Sequence, residues 1–400
     1  MKDLKPLKSS LGQPAEGKNK YFPRNKIVGR ILRKLDNGEN ILISAPRRIG
    51  KSSILKHIAK NHQENQIIKY MIVQSVNSQE EFFKKLFNEF IEDKEIFEGI
   101  NGYLKKASST LRSYVSKING ISLDGITLNN NESINYYEEC INLIKSFKTE
   151  RKIIIFIDEF PDALNNILER DESLAINFLQ QNRDMREKFS DNNLQFVYTG
   201  STGLKNVVRK LKKLDLINDI NTIEVLPFAN DEAQELIRRL VLGFQDDNPK
   251  FNINPDAINY ILEIITWKLP YYMQIIVDEL FEYYDETQKE INNNTVDFIL
   301  SQIVKSKSIH SDYFENWKDR LGRAFKNEDY SFAIEVLNFI SKNEFIDYAK
   351  FYDLAVKNDV KDHKYVLDVL EHDGYISEDN EKYGFNSILL KNWWFINVAI

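Results

Sequence analysis

The sequence predicts an α/β domain with a parallel sheet covered by helices on both faces. An all-helical region follows it, and then a small domain of three helices and a hairpin. Three observations carry this expectation. Short apolar runs of strand length alternate with helical patterns as far as Phe228. The run in "KIIIFIDEF" is apolar from Ile153 to Ile157, as a strand buried on both faces is. After Phe228 the strand signals stop and apolar residues recur at helical spacing.

In order, "ENILISA" predicts a strand and "GKSSILKHIAKNHQ" a helix; "QIIKYMIVQSV" predicts a second strand, and "SQEEFFKKLFNEFIEDKE" an amphipathic helix that a serine can cap. Residues 95–150 read as mostly helical, with a small strand pair in "GISLDGITL" from Ile121, Leu123, Ile126 and Leu128. "KIIIFIDEF" is an apolar strand ending in two acids, and one long helical stretch is expected over 163–189. "LQFVYTGS" and "INTIEVLPF" are the last strands of the domain. Four helical patterns follow, then three short helices and a two-stranded wing in "YISEDNEKYGFN". The expected division is a mobile tail over 1–20, an α/β core over 21–228, a helical region over 229–327 and a C-terminal domain over 328–400.

With 42% hydrophobic and 28% charged residues, the 400-residue chain has the composition of a soluble globular protein of two or three domains. No apolar run approaches the ~18 residues of a membrane span, and the polar first twenty residues lack a secretory apolar segment. A single cysteine, Cys140, excludes an internal disulfide and a thiolate zinc cluster. The five histidines, His57, His62, His310, His363 and His372, lack metal-ligand spacing. A reduced, cytoplasmic location is expected. The net charge of −6 argues against a chain that binds nucleic acid over its whole surface.

The stretch "ISAPRRIGKSSIL", Ile43 to Leu55, approximates the phosphate-binding pattern G-x-x-x-x-G-K-[ST] between a strand and a helix. Ala45 stands at the first position, Pro46, Arg47, Arg48 and Ile49 fill the loop, and Gly50, Lys51 and Ser52 complete it, followed by Ser53. Gly50 lets the backbone curl so that successive N–H groups face phosphates. Lys51 reaches the β- and γ-phosphates, Ser52 can ligate magnesium, and the following helix adds its positive end. Alanine at the first position costs little if its φ is negative. Asp158 and Glu159 end a buried strand at the sheet edge where ligands bind; Asp158 can hold magnesium and Glu159 can polarise the attacking water. Either acid can alternatively cap the next helix. Thr199 and Ser201, ending another strand, either contact the γ-phosphate or the water, or simply form a turn.

Together these residues resemble the archaeal-type ATPases of the STAND group, signal-transducing P-loop NTPases related to AAA+ proteins. The resemblance rests on "VGR" (Val28–Arg30, with Gly29 a candidate nucleotide contact), "APRRIGKSS", "IIIFIDEFPD", "YTGSTGL", "LPYYMQ", "YFENWKDRL" and "SILLKNWW", in that order over roughly residues 20–400. It implies an ATPase core, a helical lid, a winged-helix domain, and ATP and Mg2+ as ligands. It makes Pro270 a candidate contact to the base, with Lys268 where that family carries glycine. Arg47 and Arg48 are open to three roles: phosphate contact, pairing with acids at an interface, or solvation. Arg320 is a candidate nucleotide-sensing arginine or an ordinary ion pair.

From Ser331 to Ile400 seven lysines and no arginine face twelve carboxylates, a net charge of −5. The third helix and its flanks hold Asp362, Asp368, Glu371 and Asp373, and the wing holds Glu378, Asp379 and Glu381 against Lys382. Phosphate neutralisation supplies most DNA affinity, so this face disfavours DNA and suits a protein partner or self-association. "VVRKLKK" (Val207–Lys213) and the lysine-bearing tail leave a nucleic-acid contact open. Three functions compete at this point: an ATP-hydrolysing switch, a DNA-associated ATPase, and a nucleotide-binding scaffold without turnover.

Overall fold

The computed structural model describes residues 4–119, 133–146, 149–189, 194–200, 203–305 and 307–399. The chain forms two compact units. One comprises Asn25–Ser44 and Ile58–Glu224; the other comprises Met1–Arg24, Ala45–His57 and Val225–Ile400. The segment Ala45–His57, which carries Gly50 and Lys51, groups with the helical unit.

The first unit contains α1 (Asn25–Asp36), β1 (Asn40–Ser44), the last three residues of the helix α2 (Lys51–Lys60), whose other residues belong to the helical unit, β2 (Gln66–Ile72) and α3 (Gln79–Ile91). It continues through α4 (Lys94–Gly99), α5 (Asn101–Lys106), α6 (Ser109–Asn119), α7 (Tyr136–Ser146), β3 (Lys152–Asp158), α8 (Phe160–Leu168), α9 (Glu172–Lys188), β4 (Leu194–Gly200), α10 (Leu204–Lys210) and β5 (Ile220–Glu224). The five strands form one parallel sheet in the order β2-β3-β4-β1-β5. Every residue of β4 is buried, as is β3 after its first residue, which is why these strands read as unbroken apolar runs. Phe82, Phe83, Phe160, Phe178 and Tyr198 form an edge-to-face aromatic cluster in this core.

Ser78 caps α3 by accepting the N–H of Glu81 at 3.1 Å, as the sequence suggested. The stretch expected as one helix over 163–189 is two, because Asp171 accepts the Leu174 N–H and starts a new helix after a turn. The strand pair expected in 121–128 lies outside the described residues.

In the helical unit, α11 (Asn230–Phe244), α12 (Pro255–Ile264), α13 (Pro270–Thr287) and α14 (Asn293–Ile303) pack together. Pro255 and Pro270 open their helices, where a missing N–H costs nothing. Then come α15 (Ser311–Ala324), α16 (Asn327–Asn343), β6 (Phe345–Asp347), α17 (Tyr348–Lys357), α18 (His363–His372), β7 (Ile376–Asp379), β8 (Lys382–Phe385) and α19 (Ile388–Asn397). The expected two-stranded wing is a three-stranded antiparallel sheet, β6-β8-β7, because Phe345–Asp347 pairs with β8. That short strand has no sequence signal: it is three residues, of which only Ile346 is buried.

The segment read as a mobile tail is instead a docked strap. Leu7 is buried, and its N–H donates to Arg239 O at 2.8 Å. Ser9 Oγ donates to Asp278 at 2.9 Å, and the Ser10 N–H to Gln274 at 2.7 Å. Farther along, the Ala15 N–H donates to Ser53 Oγ at 2.9 Å, Glu16 pairs with Lys56, and Tyr21 stacks on His57 at 4.1 Å. One buried leucine among lysines was too weak a pattern to distinguish from a solvated tail. No described helix is long and apolar enough to cross a membrane.

Candidate functional site

The loop begins at Ala45, directly after the last residue of β1. Ala45 is buried and is not among the residues of positive φ, so alanine fits the first position. The left-handed positions are Arg48 (φ 65°) and Gly50 (φ 99°). A Cβ at Gly50 would meet nothing within 4 Å, so the backbone angle, not space, demands glycine there. Lys51, nearly buried, donates from Nζ to Ala45 O at 2.8 Å and to Pro46 O at 3.0 Å, closing the loop on its own start. Ile49 is buried and anchors the loop. Ser52 sits in the first turn of α2, whereas the hydroxyl of Ser53 accepts from the strap. Both arginine side chains face helices of the same unit. Arg47 donates to Asn316 Oδ1, and the Arg48 guanidinium lies 4.9 Å from the ring centre of Tyr271 and 6.0 Å from that of Tyr313.

In the sheet unit, the register sets Ser44 of β1 beside Gly200 of β4 and Tyr198 of β4 beside Ile157 of β3. β4 therefore separates the strand that feeds the loop from the strand that ends in acids. Asp158, 3% exposed, accepts a hydrogen bond from Tyr70 Oη at 2.5 Å on one oxygen and from the Thr199 hydroxyl on the other. Sequence reasoning missed Tyr70. Its signal was register: Tyr70 pairs with Phe156, and side chains two residues apart on a strand share a face, so Tyr70 falls on the side of Asp158. Thr199, open to a contact with phosphate or water or to a turn, directs its hydroxyl to Asp158.

Glu159 has φ 61° and occupies the position before α8, yet its side chain makes no cap hydrogen bond to that helix. The helix-cap alternative is thereby disfavoured. A Cβ on Gly200 would fall 2.4 Å from Pro161 Cδ and 3.6 Å from Glu159 Oε2. Glycine at the end of β4 thus lets Pro161 close in and leaves the Glu159 carboxylate beside the strand end. Ser201 lies outside the described residues. Asp158, Glu159, Thr199 and Gly200 therefore converge on one sheet edge. Gly29 lies within α1, away from any strand end in sequence, and Pro270 opens α13. The Lys268 carbonyl accepts the Phe228 N–H at 3.0 Å, and partial burial pushes its ammonium pKa down. Arg320, expected as a sensor or a plain ion pair, is buried and pairs with Asp373 at 3.6 Å.

No protein-family model matches this sequence, and no curated protein matches it. Solved structures do. A Walker-type ATPase of Pyrococcus abyssi superposes with a TM-score of 0.60 at 17% identity, over 96% of this chain and 98% of that one. The ORC2 protein of Aeropyrum pernix, solved as ADPNP-ADP complexes, superposes with a TM-score of 0.51 at 10% identity, over 96% of each chain. The fold is that of a P-loop NTPase. At these identities the likeness concerns the fold, and it extends to the helical C-terminal region as well as the parallel sheet.

Proposed function

We propose that the chain is an ATP-binding and ATP-hydrolysing molecular switch of the AAA+/STAND type. The observation that carries the proposal is Asp158: a buried carboxylate held by two hydroxyls at the carboxyl edge of a parallel sheet whose β1 runs into a Gly50-Lys51-Ser52 loop. The N–H groups from Arg47 to Ser53 cradle the phosphates, Lys51 neutralises the β- and γ-phosphates, and Glu159 orients the attacking water. Glu159 suits that role because its side chain makes no cap hydrogen bond to α8. Asp158 and the Ser52 hydroxyl are hard oxygen ligands of the kind that hold Mg2+. When bound, that ion supplies charge neutralisation at the phosphates.

Residues 229–327 serve as the lid and 328–400 as a winged helix, with the acidic net charge of the latter favouring a protein partner or self-association over DNA. Pro270, Gly29 and Thr199 remain candidate nucleotide-side residues, Thr199 acting through Asp158. The test is phosphate release and ATP binding on three chains. Wild type should turn over, Glu159→Gln should bind ATP with turnover lowered at least about 100-fold, and Lys51→Ala should lose ATP affinity. Wild-type turnover by Glu159→Gln would remove that residue from catalysis. Undiminished ATP affinity of Lys51→Ala would sink the loop assignment.

A further inference from the structure

A cavity of about 220 Å³ opens in the helical unit between the two loop arginines and one face of α15. Tyr313, Asn316, Trp317 and Arg320 line it, at the spacing of a single helix face. Three guanidiniums, those of Arg47, Arg48 and Arg320, meet one lining carboxylate, Asp312, so the wall is net positive. Arg320 is only 6% exposed and is steadied by Asp373. Tyr271 and Tyr313 have ring centres 4.3 Å apart, and Trp317 is fixed by the Tyr375 hydroxyl, which donates to its carbonyl at 2.6 Å. His310, also at the wall, engages Glu279 at 2.8 Å.

We propose that this cavity binds a small phosphomonoester whose ester group is a flat ring. Guanidinium forks match a phosphate in two-pronged geometry, and the amide oxygen that Arg47 meets and the two rings beside Arg48 are neutral groups, which an anion outbids electrostatically. The tyrosine faces supply stacking surface for a ring. The volume falls below the roughly 300–1,000 Å³ of sites for drug-sized ligands, so a nucleoside triphosphate or a peptide is too large. The ligand would engage arginine side chains, whereas a nucleotide in the loop engages N–H groups. This site therefore goes beyond the ATP proposal and does not depend on turnover. Because Arg47 and Arg48 belong to the phosphate loop, its occupancy would set the shape of that loop.

The test is calorimetric titration of the full chain with phenyl phosphate and with inorganic phosphate, on wild type and on Lys51→Ala, Arg48→Met and Arg320→Lys. Arg48 is exposed, so its replacement leaves the fold intact, and Arg320→Lys keeps a cation toward Asp373. Phenyl phosphate should saturate one site in wild type and in Lys51→Ala. It should weaken about tenfold in both arginine variants, since each loses one charge-assisted fork. Inorganic phosphate should bind more weakly than phenyl phosphate. No saturable binding to wild type, unchanged affinity in both arginine variants, or loss of binding in Lys51→Ala would each overturn the site, the last by placing the anion in the phosphate loop. Equal affinity for the two probes would overturn the ring preference. ATP titration of the same Lys51→Ala sample shows separately whether the loop assignment has failed.

Discussion

Gly243, near the end of α11, tests whether the strap is docked. A Cβ built there falls 2.1 Å from the carbonyl oxygen of Leu7, where contacts below 3.0 Å do not occur, so the strap must retreat by about 1 Å. In an undocked chain the same change is favourable, since alanine exceeds glycine by at most about 1 kcal/mol in a helix. In the docked chain it forfeits the burial of Leu7, worth about 2 kcal/mol, and the Leu7 to Arg239 hydrogen bond, worth about 1 kcal/mol. Gly243→Ala should therefore destabilise the full chain by about 2 kcal/mol net, a fall in the melting temperature of the helical unit of about 4–8 °C. In a chain beginning at residue 21 it should raise the melting temperature instead. Thermal unfolding followed by circular dichroism reads both, and hydrogen exchange over residues 4–20 reports docking directly. A full-length Gly243→Ala protein as stable as wild type, with its strap amides still protected, would refute the close approach.

Thr199→Val keeps the shape of the strand but removes a donor to Asp158, and Tyr70→Phe removes the other. Each should lower stability by about 1–3 kcal/mol, and together they should cost less than the sum, because both act through one carboxylate; a denaturant double-mutant cycle measures this. Gly200→Ala drives a Cβ into Pro161 and should cost about 1–3 kcal/mol by overpacking while displacing Glu159, so turnover should fall along with the unfolding midpoint. Burial pushes the Asp278 carboxyl up to about 6 from 3.8, against the opposing pull of Ser9 and His310. Its folded form thus holds a proton that the unfolded chain has released, so its contribution falls as pH rises from about 4 to 6 and stays adverse above. Asp278→Asn should stabilise the protein at pH 7 and be neutral below about pH 4, as read from urea midpoints across that range.

The parallel sheet was legible because β3 and β4 are buried on both faces and so read as unbroken apolar runs between helical patterns. Asp158 was legible as the acid that ends such a run. Its partners were not, because Tyr70 and Thr199 meet it through strand register, and register is set by neighbours distant in sequence. The loop followed from glycine and lysine spacing, but the left-handed turn at Arg48 did not, since arginine gives no sign of φ 65°. Strap docking and the third strand of the C-terminal sheet escaped for one reason: each buries one apolar side chain, Leu7 or Ile346, in a polar segment. The break before α9 was signalled by Asp171, whose capping chemistry a periodicity argument overlooks.

The strap also sets a length. Ser10 is held by Gln274 on α13, and Ala15 by Ser53 on α2, the helix that leaves the phosphate loop. Five residues at about 3.5 Å each span no more than roughly 17 Å. The strap is thus a leash: any excursion that carries α13 farther than this from the first turn of α2 must first undo one of its two fastenings. At the α2 end the fastening is the Ala15–Ser53 hydrogen bond, the exposed Glu16–Lys56 pair and the stacking of buried Tyr21 on His57; at the α13 end it is the Ser9 and Ser10 hydrogen bonds and buried Leu7. Each end thus carries one buried anchor, Tyr21 or Leu7, so a large displacement of α13 from α2 has to expose one of them to water.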